Sequence, residues 1–187
     1  MDDFGQREVV FDHSIDGLFQ RSLRNKMTQH CRERLRQAGL DLSTKLKPMY
    51  PRLQFYEFLE IARQEIYPGR SRDEGLFQLG YGLLGGYEET FLGKAVLAVV
   101  KLLGPRRTLG RATQSLQSSN NYIASSLQQL GPTSFALTLN QVSGAPTYFA
   151  GVIQRGIELA GGAQVKVEPQ PVDGPGCVYI VQWQDKR

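Results

Sequence analysis

Residues 133–183 constrain this chain most, because they read as strand, helix, strand, loop and strand. SFALTLN alternates at Phe135, Leu137 and Leu139, which puts one face of a strand into a core. PTYFAGVIQRGIELAGG then carries Phe149, Val152, Ile153, Gly156, Ile157 and Ala160 at helical spacing. AQVKVEP and CVYIVQW follow as strands, joined by the turn-rich QPVDGPG. Such elements must bury one face, and the partner is the mainly helical material of residues 14–130. The expected fold class is α+β, a helical layer packed on a small four-stranded antiparallel sheet of residues 7–11, 134–140, 164–169 and 177–183.

A chain of 187 residues, 41% of them hydrophobic, suffices for one substantial core. It is read as a single domain, residues 1–187, with an N-terminal strand and helical block (7–130) and a C-terminal strand-helix-strand-strand unit (133–183). The balance of 22 basic against 18 acidic residues and a net charge of +4 is that of an ordinary soluble protein. MDDFGQREVV lacks the apolar core of a signal peptide, and the two cysteines form no CxxC, so reduced thiols and a cytoplasmic location are expected. The most apolar segment, residues 91–104, contains Lys94 and Lys101 and falls short of the roughly 20 residues of a membrane span. Its apolar residues circle the helix more widely than one core stripe requires, which points to a homodimer or protein-partner surface.

Residues 15–38 read as one helix closed by Gly39, with a broken apolar stripe and a basic face of Arg21, Arg24, Lys26, Arg32, Arg34 and Arg36. No aromatic residues interleave with those charges, so nucleic acid is not indicated. LDLSTKLKPMYP reads as loop, residues 54–66 as helix, and Ser71 with Glu74 as a capping box. The next helix, 74–90, is glycine-rich, with Gly82 and Gly86 suited to close helix contact. Pro105 opens a further helix, and QSSNNYIASSLQQLGP reads as a polar turn region shaped by Asn120 and Asn121.

Chemistry is sparse. His13 and His30 stand beside no nucleophile, the carboxylates scatter over expected helix faces, and neither GYGLLGG nor LAGGAQ has the spacing of a phosphate loop. No catalytic residue, metal site or cofactor is expected. An enzyme would have to use Cys177, Tyr179 or Tyr81 beside a charged partner in a cleft.

The segments VVFDHSIDGLFQRSL, YPRLQFYEFLEIARQEIYPG, FQLGYGLL, LLGPRRTLGRATQSLQSSNNY and PTYFAGVIQRGIELAGGAQVKVEPQPVDGPGCVYIVQW resemble a paralogous family of uncharacterised myxobacterial proteins, over about residues 8–183. More distantly, the element order, GLF and FAGVIQRGIEL resemble the superfamily of haem-nitric-oxide-binding (H-NOX) domains, 4-vinyl reductase domains and small TRAPP subunits. In H-NOX proteins a histidine ligates haem iron and a Tyr-x-Ser-x-Arg motif holds the propionates. Here Asn120 and Asn121 stand where that histidine is sought, and NQVSGAPTY has no arginine. The resemblance therefore implies a haem-free signalling or binding module that takes a small apolar ligand or a protein partner between helices and sheet. Phe77, Tyr81, Phe149 and Val152 are the candidate ligand-binding residues, from a wider aromatic supply that includes Tyr87 and Phe91. The rival expectation is an interaction protein with a fully packed core and a dimer surface.

Overall fold

The computed structural model describes residues 8–85 and 91–185. Strand β1 (Val9–Phe11) leads into α1 (Asp12–Ile15), which continues as a π-helix (Asp16–Ser22), followed by α2 (Gln29–Gln37) and β2 (Met49–Pro51). Then come α3 (Arg52–Ile66), α4 (Arg72–Leu83), α5 (Phe91–Gly110), α6 (Ala112–Ser119), β3 (Ser125–Gly131), β4 (Ser134–Leu139), α7 (Pro146–Leu159), β5 (Ala163–Pro171) and β6 (Cys177–Gln184). The α+β expectation holds: helices pack on a four-stranded antiparallel sheet of order β3-β4-β6-β5.

One face of that sheet is the core. Phe135, Leu137 and Leu139 on β4 stand opposite Val181, Tyr179 and Cys177 on β6, and all six are buried. Phe135 stacks on Trp183 with ring centroids 5.5 Å apart. Strand β5 runs along the edge, with Pro169 and Pro171 in its ladder.

The fourth strand differs from expectation. Residues 9–11 pair with β2 in a separate two-stranded ribbon, and the place in the large sheet goes to β3. The physical reason is visible on both sides. Pro51 cannot donate, but Asp12 N and Arg52 N, just outside the ribbon, bond to Pro48 O and Glu8 O at 3.1 and 2.9 Å, so MYP can pair despite Pro51. Strand β3 buries no alternating apolar face, and its backbone is drawn into the sheet by the ladder that β4 offers.

The expected helix 15–38 is likewise two pieces. Leu23 N bonds to Leu18 O at 2.9 Å, which closes the π-turn. Thr28 then caps a new helix by accepting from Cys31 N at 3.1 Å. Much of the basic surface is tied up inside the molecule: Arg21 with Asp16 at 2.6 Å, Arg34 with Glu65 at 2.7 Å and Arg36 with Glu33 at 2.7 Å. Gly39 does close α2 in the left-handed region, at φ 100°. Ser71 and Glu74 form the expected capping box on α4. Gly104, at φ 73°, kinks α5 just before Pro105.

Among the described residues Asn120 is the one polar residue buried in the core. Its Oδ1 accepts from Tyr122 N at 3.2 Å and Ile123 N at 2.8 Å, and its Nδ2 donates to Leu116 O at 3.0 Å. It turns the chain from α6 toward β3, as expected of a cap. Asn121 Oδ1 accepts from Val9 N at 2.8 Å and ties β1 to the same turn. Asn120→Ala strips two amides of their acceptor and is expected to lower unfolding free energy by about 2–4 kcal/mol in chemical denaturation.

Candidate functional site

The site is built on the contact between α4 and α7, which is close because two glycines interlock. A Cβ on Gly80 would lie 1.9 Å from Tyr148 O, and one on Gly151 would lie 2.2 Å from Phe77 O and 2.7 Å from Tyr81 N. Backbone meets backbone here, and no side chain larger than hydrogen fits. Gly82, expected to make this contact, faces the π-helix: Ser22 Oγ donates to Gly82 O at 2.6 Å. Gly86 lies outside the described residues, as does Tyr87, and nothing is described of the Phe91 side chain. The spacing of six glycines between residues 75 and 93 could not say which of them meets a backbone.

The four expected ligand residues lie on the two helices that form this seam. Phe77 and Tyr81, one turn apart on α4, stack with centroids 6.0 Å apart and stay partly exposed. Phe149 and Val152 flank Gly151 on α7; Phe149 is buried and Val152 partly so. Three residues that the sequence did not single out complete the polar edge. Tyr81 Oη donates to Glu158 Oε2 at 2.5 Å, Gln154 Nε2 donates to Glu158 Oε1 at 3.1 Å, and the Arg155 guanidinium sits 5.3 Å from the Tyr81 ring centroid. The hydrogen bond to Glu158, with burial second, holds the Tyr81 phenol above its ordinary pKa. Tyr81 is thus held in place as a hydrogen-bond donor to Glu158. Only the one-turn spacing of Glu158 and Arg155 along α7 hinted at them; their partner is 77 residues away for Glu158.

Behind the seam the interior is aromatic. Tyr148 packs edge-on to Phe55 at 5.9 Å and to Phe149 at 5.3 Å, and Tyr179 Oη donates to Pro146 O at 3.0 Å. A surface cleft of about 410 Å³ lies between α2 and α3, lined by residues that include Arg34, Glu57, Glu60 and Gln64. Glu60 in that cleft is already paired, with Arg63 at 2.9 Å and Arg72 at 2.5 Å.

A haem needs an axial ligand aimed into the space between helices and sheet. Both histidines face outward, with side chains 49% and 73% exposed, His13 beside Asp12 and His30 beside Glu65. Asn120 is committed to its turn. Burial, with Glu65 nearby, pushes the Cys31 thiol up to about 11, and burial also raises Cys177, so neither favours the thiolate that would bind iron. Among the described residues no group of three His, Cys, Asp or Glu could hold a metal. The residues present do not fit a haem of that kind. Among the described residues, too, no helix is long and apolar enough to cross a membrane.

This architecture is that of the H-NOX fold. An H-NOX structure from work on the molecular mechanism of H-NOX activation superposes with a TM-score of 0.68 at 12% identity, over 94% of this chain and 97% of that one. An unliganded Fe(II) H-NOX protein from K. algicida gives 0.60 at 14% identity, over 92% and 95%. An oxygen-binding H-NOX domain related to soluble guanylate cyclases, in its oxygen complex, gives 0.60 at 13%, over 91% and 93%. No curated protein matches the chain. Residues 8–184 match the family described as protein of unknown function (DUF2378), and the chain belongs to that family.

Gly80→Ala and Gly151→Ala are each expected to cost about 3 kcal/mol or more, since the new methyl group meets backbone that cannot move alone. Gly85→Ala, which meets open space, is expected to leave stability unchanged or raise it by up to about 1 kcal/mol. Denaturant titration of the three variants checks both statements.

Proposed function

We propose that this chain is a haem-free, non-enzymatic sensor or binding module. It takes the apolar part of a small molecule, or of a protein partner, against Phe77 and Val152, and orients the polar end with Tyr81. The observation that carries the reading is the half-exposed Tyr81, Glu158 and Arg155 cluster set directly beside apolar surface on a rigid helix pair. That is the makeup of a ligand site, apolar walls with a few placed polar groups. The H-NOX neighbours support a sensing role by analogy of fold, and the outward histidines support its being haem-free. The protonated, buried Cys177 and Tyr179 and the carboxylate-held Tyr81 support a non-catalytic role. We place the chain in the cytoplasm, among the paralogous myxobacterial proteins that its motifs resemble.

Native mass spectrometry of the purified chain, with melting curves, tests the site. The wild type is expected to retain a small molecule, and Tyr81→Phe to bind it about tenfold more weakly at an unchanged melting temperature. A wild type that is bare in every preparation would sink the reading. Incubation with hemin under reducing conditions is expected to give no Soret band; a stoichiometric one lost on mutating His13 or His30 would show that a histidine does reach iron.

A second reading, a packed interaction protein working as a homodimer, has its own observation. Leu102 and Val99 on α5 are 86% and 51% exposed. In that case light scattering at micromolar concentration gives a dimer that Leu102→Glu reduces to monomer, and no small molecule co-purifies.

A further inference from the structure

The positive charge of the chain is segregated. Between Glu89 and Glu158 the sequence holds six basic residues and no acidic one, so with a net charge of +4 the remainder of the chain is slightly acidic. Arg155 is held by Glu158, and nothing is described of the Lys94 side chain, which leaves Lys101, Arg106, Arg107 and Arg111, all on or just after α5 and all exposed. Elsewhere arginines such as Arg34 and Arg52 meet a carboxylate. Among the described residues no carboxylate pairs with these four, and Arg106 donates to the neutral Gln129 amide at 2.9 Å.

Apolar surface stands beside the cations. Ala98, Val99 and Leu102 share one face of α5 through i, i+3 and i, i+4 spacing, with Lys101 at its border. Leu102 is 86% exposed and Val99 51%; Leu130, next in sequence to the Gln129 that Arg106 holds, is also 51% exposed. The kink at Gly104 gathers the two halves of the helix. Thr108 Oγ1 donates to Val100 O at 3.5 Å, across eight residues that would span about 12 Å in a straight helix. The turn with Arg106 and Arg107 is thereby brought back toward the turn that carries Leu102.

An apolar ridge bordered by cations without carboxylate partners is the makeup of a helix that lies in a lipid interface, its apolar side chains entering the acyl boundary and its basic groups meeting headgroup phosphates. Nucleic acid would gain nothing from Leu102 and Val99, and residues 98–111 offer no aromatic ring on which a base could stack. A second copy on the same ridge would bring its four cations against these four, at a cost in repulsion.

We propose that the kinked α5 is a docking surface for an anionic lipid membrane, with Val99 and Leu102 entering the interface and Lys101, Arg106, Arg107 and Arg111 binding the headgroups. The surface does not draw on the Tyr81 cluster, so it stands whether or not the α4–α7 seam holds a ligand.

Sedimentation of the full chain with vesicles tests it, using phosphatidylcholine alone and phosphatidylcholine mixed with phosphatidylserine. At physiological salt the expected result is binding to the mixed vesicles and none to the neutral ones, weakening as salt is raised. Arg107→Gln with Arg111→Gln is expected to weaken binding about 20-fold, and Leu102→Ala about tenfold. Melting temperatures stay unchanged, since all three side chains are exposed. A chain that stays in the supernatant with the mixed vesicles overturns the proposal, as does equal binding to both vesicle types. Binding that ignores Leu102→Ala overturns it as well, being the behaviour of a basic surface drawn to any polyanion. A dimer in light scattering that Leu102→Ala dissociates shows a second copy on the ridge and overturns it too.

Discussion

The meeting of Gly80 and Gly151 is the contact on which the rest of the fold depends. Helices held apart by side chains have some freedom to slide and rotate, whereas two backbones in contact have almost none. Helix α7 is therefore fixed against α4 on one side while it packs against β5 and β6 on the other, so it sets the spacing between the helical layer and the sheet. The same contact places the ends of the seam. Tyr81 is adjacent in sequence to Gly80, and Arg155 and Glu158 follow Gly151 by one and two turns, so the polar cluster inherits its geometry from the glycines. Its groups are held on rigid helices, which favours orientation over reach.

Charge is used locally. Several of the basic residues pair with acidic neighbours, as Arg34 does with Glu65 and Arg52 with Glu8. Exposed pairs such as Arg36 with Glu33 add little stability. Their effect is to leave less free positive surface than the composition suggests. Glu33 shows the same economy: hydrogen bonds from Arg36 and then Gln37 hold its carboxyl down at about 2, so it stays charged well into acid.

What the sequence revealed, and what it hid, follows from where information is local. SFALTLN and CVYIVQW were legible because each buries one face, and alternation records that directly. The capping box at Ser71, the stop at Gly39 and the turn at Asn120 were legible because their partners lie within four residues. Strand β3 was not, since both its faces are largely polar and only its neighbour makes it a strand. Nor was β2, which reads as loop because Pro51 has no N–H, until the bonds from Asp12 N to Pro48 O and from Arg52 N to Glu8 O flank it. The candidate quartet was drawn from the aromatic and apolar supply of the two helices that meet at the glycines, and its polar companions could not be found that way. Tyr81 to Glu158 is a long-range bond, and the glycine that matters depends on which helix face meets a neighbour.

The edge of the sheet carries a consequence for how molecules of this kind can crowd together. Strand β5 is the outer strand on one side, and Pro169 and Pro171 sit two residues apart within it, each lacking the N–H that a further strand would need. A register shift between Ala163 and Lys166 disturbs the ladder at its other end. A neighbouring chain that tried to extend the sheet there would find its hydrogen-bond template interrupted along most of its length. Growth of fibrils by strand addition is blocked at that border, even when copies are forced to high local concentration.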